Sequence, residues 1–212
     1  MLLKDLLKTF NKSVRDRLGL LFGFVYSLYN ILVGIIVGTI WHIAIGIYYL
    51  LLLSVKIVLM IVQKRGKMST MIFILTSLLL FLISLSLVVP IITMITNQRP
   101  VSIPLEVAIG IATYTTYKVT VAIIGFVKNW RTDNMLRSEL VTIGLIEAIV
   151  SVLTLQNTLI TVNGGAGDGG LTILSTISSA VGLCGILYLV LRLIVKYFKE
   201  KNSKTYDEPS LT

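Results

Sequence analysis

Long apolar runs alternate along this chain with short basic clusters. Four nearly uncharged runs stand out, at 68–96, 103–127, 139–162 and 171–192. Each supplies the roughly 20 residues a helix needs to cross about 30 Å of hydrocarbon. A fifth region, 18–62, has no charge before Lys56. As one helix it would extend roughly 68 Å at 1.5 Å per residue, too far for a single crossing. Arg15 and Arg17 precede this region, and Lys64, Arg65 and Lys67 follow it. Lys and Arg are enriched in cytoplasmic loops, so both clusters belong on the same side and the number of crossings between them is even. A tight turn at Gly38-Thr39-Ile40-Trp41-His42 divides the region into spans 18–37 and 42–63. Glycine permits such a turn, and Trp and His suit a membrane interface.

The pattern predicts an all-α, polytopic integral membrane protein with six transmembrane helices in three hairpins and both termini cytoplasmic. Residues 1–17 form an interfacial or cytoplasmic arm and 193–212 a cytoplasmic tail. In the arm, Leu2, Leu3, Leu6, Leu7 and Phe10 alternate with Lys4 and Lys8, as in a short helix lying on the inner surface. A plain start to the first span is the other reading. No apolar core with a small-residue cleavage site opens the chain, so no removable signal peptide is expected. Outer loops fall at 38–42, 97–102 and 163–170, and Pro90 is expected to kink the third helix.

Composition and charge reinforce the topology. Hydrophobic residues make up 55% of the chain and charged residues 14%, with a net charge of +9. Sixteen of the nineteen basic residues lie within Lys4–Arg17, Lys64–Lys67, Lys128–Arg137 and Arg192–Lys204; the others are Lys56, Arg99 and Lys118. Clusters beside apolar spans point to anionic lipid of the inner leaflet as the partner, not nucleic acid. The single cysteine, Cys184, excludes an intramolecular disulfide.

Three ionisable residues sit well inside the spans: Lys56, Lys118 and Glu147. Each is roughly 12–15 Å from the cytoplasmic end of its helix. An unpaired charge at that depth costs at least about 2.5–3.5 kcal/mol, so Glu147 is expected to face Lys118, with Lys56 nearby. Thr113, Thr116, Tyr117 and Thr120 share an arc of the fourth helix beside Tyr114 and Lys118. With Asn30, Tyr48, Tyr49, Gln156 and Asn157 they are candidates for a polar cavity. Two blander alternatives stay open, a purely structural ion pair and lysines that snorkel to the headgroups.

Small residues mark packing faces. The first helix carries Gly19, Gly23, Ser27, Asn30, Gly34 and Gly38 at near four-residue spacing. The fifth carries Gly144, Glu147, Ser151, Thr154 and Thr158, and the sixth Ser175, Ser178, Ser179, Gly182 and Gly185. Such stripes let helix backbones approach closely, within the chain or against a membrane partner or a second copy, and a pathway lining is the third reading. The segment Ala44-Ile45-Gly46-Ile47 reappears 64 residues later as Ala108-Ile109-Gly110-Ile111, which reads as a duplication or as chance similarity of apolar sequence.

No catalytic motif is present, so an enzyme is not expected. The glycine-rich stretch 164–170 lacks the Lys-Ser/Thr of a phosphate-binding loop. His42, the only histidine, has no companion for metal binding and reads as an interfacial anchor; no metal or cofactor is expected. The leading function is a small solute or ion transporter or channel with a polar cavity around Lys118 and Glu147. The alternative is a membrane-embedded interaction or regulatory protein.

Several short stretches carry a resemblance: Gly38–His42, Tyr48-Tyr49, Ala112-Thr113-Tyr114 ahead of Lys118, and Leu155-Gln156. Together they resemble a group of small multi-span membrane proteins of Gram-positive bacteria, a group to which no activity is attached. The likeness covers much of the chain, although those proteins carry more aromatic residues at the hairpin tip than the single Trp41 here. It implies a bacterial plasma membrane and adds no activity.

Overall fold

The computed structural model of the chain describes residues 2–65, 70–89, 91–92, 104–129, 134–162 and 169–206. Among these, helices α1 Leu2–Val37, α2 Ile40–Arg65, α3 Thr70–Ser86, α4 Leu105–Asn129, α5 Met135–Val162 and α6 Gly169–Tyr206 carry the fold, and there is no strand. Five of them are long and apolar enough to cross a membrane, and α3 is a shorter apolar helix of 17 residues. Large apolar side chains cover the outside, with Ile36, Met71 and Val127 more than two-thirds exposed. In a soluble protein such a surface would aggregate; facing lipid it costs nothing. The chain is an all-α integral membrane protein.

Local chemistry sets the helix ends. Gly38 adopts φ +73°, and Thr39 N–H donates to Gly34 O at 2.9 Å. That is the glycine-terminated helix end in which the sixth residue bonds back to the first, and it reverses the chain in two residues. The turn is therefore tighter than 38–42: Ile40, Trp41 and His42 already belong to the first turn of α2. Trp41 and His42 are also buried against the rest of the protein, at 5% and 1% exposure. Thr39 Oγ1 meets His42 Nδ1 at 2.9 Å, tying the residue before α2 to its third position, where a capping-box glutamate would stand. At the start of α5, Asn134 Oδ1 accepts from Arg137 N–H at 3.1 Å and caps the helix.

Two expected boundaries shift. The helix expected over 68–96 ends as α3 at Ser86. Ser86 is four residues before Pro90, and a proline ring clashes with the carbonyl four residues back. Pro90 itself lies outside the described residues, as do the expected loop 97–102 with Arg99 and most of the loop 163–170. The arm and the tail are not separate from the spans: helix is continuous from Leu2 into α1 and runs on through α6 to Tyr206.

Side-chain contacts fix the directions. Gly34 against Ile43, Ser27 against Gly46 and Gly23 against Leu53 make α1 and α2 antiparallel. Tyr29 against Val107 and Phe22 against Tyr117 set α4 antiparallel to α1. Thr115 with Ser151 and Lys118 with Glu147 set α5 antiparallel to α4. Gly182 on Leu153 and Gly185 on Ile149 do the same for α6 on α5. Phe73, near the start of α3, stacks on Tyr197 of α6 at 4.6 Å. Lys64, Arg65, Lys128, Arg137, Arg192 and Lys196 thereby gather at one end of the bundle, opposite the Gly38 turn. The most buried helices are α5 and α2: 56% and 50% of their apolar stretches are buried, against 28% for α4 and 22% for α6.

The tightest seam joins α1 to α2. A Cβ on Gly46 would stand 2.8 Å from Ser27 O, and one on Gly34 would stand 2.7 Å from Ile43 N. Neither position admits a larger residue without moving backbone. Ser27 Oγ donates to Gly46 O at 2.6 Å across the same seam. Lipid provides no hydrophobic drive between helices, so close backbone packing and such bonds are what hold them. Gly23 and Gly182 also pack within the chain, against Leu53 and Leu153, whereas Gly19 and Gly144 have nothing within 4 Å of an added Cβ. Gly19, expected in the packing stripe, is thus not part of a seam. The two halves of the proposed duplication differ in environment, Ile45 being fully buried and Ile109 58% exposed.

Candidate functional site

Helical spacing on α4 places Ala108, Ile111, Thr115, Lys118 and Ala122 along one buried stripe. The stripe faces α5, where Glu147, Ser151, Thr154 and Thr158 form the matching buried line. Thr115 Oγ1 donates to Ser151 O at 3.1 Å. One turn further along α4, Lys118 Nζ reaches Glu147 Oε2 at 2.6 Å. From α2, Lys56 Nζ approaches the same carboxylate, 3.2 Å from Oε2 and 3.5 Å from Oε1. A single carboxylate thus bridges two ammonium groups contributed by different helices. The Lys118 and Glu147 side chains are nearly closed off, at 8% and 4% exposure, and Lys56 keeps 22%.

Tyrosines wall this triad. Tyr49 is fully buried and donates through its hydroxyl to Glu147 O at 2.9 Å, joining α2 to α5 directly above the carboxylate. Tyr26 of α1 stacks on Tyr114 of α4 at 3.5 Å between centroids and meets Tyr49 edge-on at 5.1 Å. The Tyr114 ring also presents its face to Lys118 Nζ at 5.4 Å, a cation–π contact that stabilises charge away from water. With all three ends ionised, the triad holds one positive charge more than negative.

Polar atoms around the triad are incompletely satisfied. The hydroxyls of Tyr26, Tyr48 and Tyr114 and Oδ1 of Asn30 are buried without a close hydrogen bond among the described residues, the Tyr26 hydroxyl lying towards the Asn30 side chain and the Tyr48 hydroxyl towards Ser84 of α3. Asn30 Nδ2 donates to Tyr26 O at 2.8 Å, one turn away, and Tyr26 stacks on Tyr114, so these three residues share a neighbourhood. Most buried polar groups in proteins are paired, and a cluster of exceptions is a mark of a place where water, an ion or a solute enters.

The sequence-derived candidates divide cleanly. Lys118, Glu147, Lys56, Tyr114 and Asn30 converge on this region. Thr113 and Tyr117 do not: with Thr116 and Thr120 they face outward from α4. Their orientation follows from Lys118, which turns to α5 and leaves that arc on the opposite side of the helix. Thr113, Thr116 and Thr120 satisfy their hydroxyls on carbonyls four residues back, at 2.8–2.9 Å, so lipid exposure leaves no open donor. Tyr117 is 42% exposed and packs on Phe22. Gln156 is half-buried and nine residues along α5 from Glu147, roughly 13 Å away. The hydroxyls of Ser151, Thr154 and Thr158 likewise turn back to their own helix.

One buried acid escaped the sequence reading. Glu139 stands at the boundary of its expected span, yet its side chain is wholly buried, with the Thr76 hydroxyl of α3 near its carboxyl but no close hydrogen bond among the described residues. Its position in the second turn of a helix capped by Asn134 was the available signal. Among the described residues no three His, Cys, Asp or Glu side chains group as a metal site.

Comparison with known proteins adds no relative: no protein-family model, no curated protein and no solved structure matches this chain.

Proposed function

We propose that this chain is a small membrane channel or transporter whose polar pathway passes the Lys56–Glu147–Lys118 triad between α1, α2, α4 and α5. The observation that carries the proposal is an ion triad buried midway along the helices, with the Tyr114 hydroxyl beside it lacking a hydrogen-bond partner among the described residues. Intramembrane ionisable residues are costly and mark ion or solute routes by default. The surplus positive charge repels cations and attracts anions, so anionic or neutral solutes are the expected cargo. Six crossings with both termini and the basic clusters in the cytoplasm, in a bacterial plasma membrane, complete the reading.

The interaction-protein alternative relied on small-residue stripes held free for a partner helix. Gly23, Gly34 and Gly182 instead contact Leu53, Ile43 and Leu153 of the same chain, which takes these three glycines out of any such docking face. Chloride and potassium flux in proteoliposomes tests the proposal. Chloride flux above protein-free vesicles, exceeding potassium flux and reduced by Lys118→Met in folded protein, is expected. No flux of either ion above protein-free vesicles counts against it.

A further inference from the structure

We infer that a cleft at the basic end of α4, α5 and α6 binds the headgroup of an anionic phospholipid. The cleft is lined by Asn129, Ser138, Thr142, Arg192 and Lys196 together with Phe126, Val141, Leu145, Leu189 and Leu193. Its volume of about 40 Å³ is several times what one water needs on that measure.

The lining is graded along the membrane normal. Asn129 is the last residue of α4, Ser138 is in the first turn of α5, and Arg192 and Lys196 lie towards the far end of α6, so the polar groups cluster at the mouth. Leu145 and Leu189 lie seven residues deeper than Ser138 and Lys196 on their helices, roughly 10 Å towards the membrane centre. Charge outside and methylene surface inside is the order of a phospholipid. Next to the cleft, Val127, Leu191 and Val195 are more than half exposed and offer acyl chains a continuous apolar track.

The donor chemistry selects phosphate. Asn129 Nδ2 and Thr142 Oγ1 are committed to Gly125 O at 2.6 Å and Ser138 O at 3.0 Å. Ser138, Arg192 and Lys196 also line the cleft, and a guanidinium and an ammonium each carry several N–H donors, so a partner elsewhere does not exhaust them. A guanidinium fork and an adjacent ammonium suit the oxygens of a phosphodiester, and basic pockets between helices at the cytoplasmic face are a recurrent headgroup site.

Native mass spectrometry of the full chain released from nanodiscs of phosphatidylglycerol and phosphatidylcholine tests this. Retention of phosphatidylglycerol over phosphatidylcholine is expected, weakened roughly tenfold or more by Arg192→Gln/Lys196→Gln. Lys64→Gln/Arg65→Gln removes the same charge from the same end outside the cleft, and should change retention by about twofold at most. Equal losses from the two pairs, or no loss from either, overturn the proposal in favour of diffuse attraction. Displacement of the lipid by millimolar inorganic phosphate overturns it in favour of a free anion. If the double variant does not fold, Ser138→Ala and Lys196→Gln singly carry the same test, with retention unchanged in both being the contrary result.

Discussion

Lys118 Nζ lies 2.6 Å from Glu147 Oε2, and that oxygen is also the nearer partner of Lys56 at 3.2 Å. Removing the carboxylate therefore strands two ammonium groups at once. Breaking a buried pair from one side costs about 3–5 kcal/mol, because the remaining charge is left uncompensated. Glu147→Gln should lower unfolding stability by about that amount in detergent, measured by denaturant titration. Lys118→Met should cost more than Lys56→Met, since Lys56 is the longer and more exposed contact. Lys118→Met/Glu147→Met should cost less than the sum of the two singles, and strict additivity would show that the pair is not coupled.

The α1–α2 seam separates glycines that must be glycine from those that need not be. Gly46→Ala drives a methyl to 2.8 Å from Ser27 O and should lower stability by about 1–3 kcal/mol. Gly19→Ala meets nothing and should be neutral or stabilise by up to about 1 kcal/mol through helix propensity. Melting temperatures of the two variants check this, and equal losses would contradict the seam.

On α4, neighbouring threonines should respond differently. Thr115→Val removes the bond to Ser151 O and should cost about 0.6–1.7 kcal/mol, the range for interhelical hydrogen bonds in membranes. Thr116→Val removes only a bond to its own helix, on the lipid side, and should stay within about 0.5 kcal/mol of the parent. The comparison reads out which face of the helix is inside.

Glu139 tests the cost of an unpaired buried acid. Burying a polar group without a partner costs about 1–3 kcal/mol, so Glu139→Met should raise the melting temperature. A fall would mean that the carboxyl is held by a partner, with the neighbouring Thr76 hydroxyl the first candidate.

What the sequence conveyed, and what it did not, follows from the strength of each signal. Five long apolar spans and the gathering of basic ends were legible because bilayer thickness and loop charge act on long stretches, whereas the span expected over 68–96 gives the 17-residue α3. The Lys118–Glu147 pair was legible because two charges at one depth have few partners to choose from. The outward threonines were misplaced although the information was present: Thr116 and Thr120 lie two residues from Lys118, about 200° around the helix, so they cannot share its face. Tyr26 and the stack it makes with Tyr114 went unread, since an aromatic in an apolar span is as much at home facing lipid. Gly46 was noticed for its repeat and not for its packing, because closeness of backbones is a property of two helices and not of one.

The central claim is that water reaches the triad from outside the membrane. Cysteine accessibility measures this most directly, in a Cys184→Ser background, with Asn30→Cys and Tyr114→Cys reacted with a charged, membrane-impermeant methanethiosulfonate in intact vesicles. Modification of both, with Ile109→Cys on the lipid face unreactive, is the predicted result. Folded protein in which neither Asn30→Cys nor Tyr114→Cys reacts from either side would contradict it and make the triad a dry structural clamp.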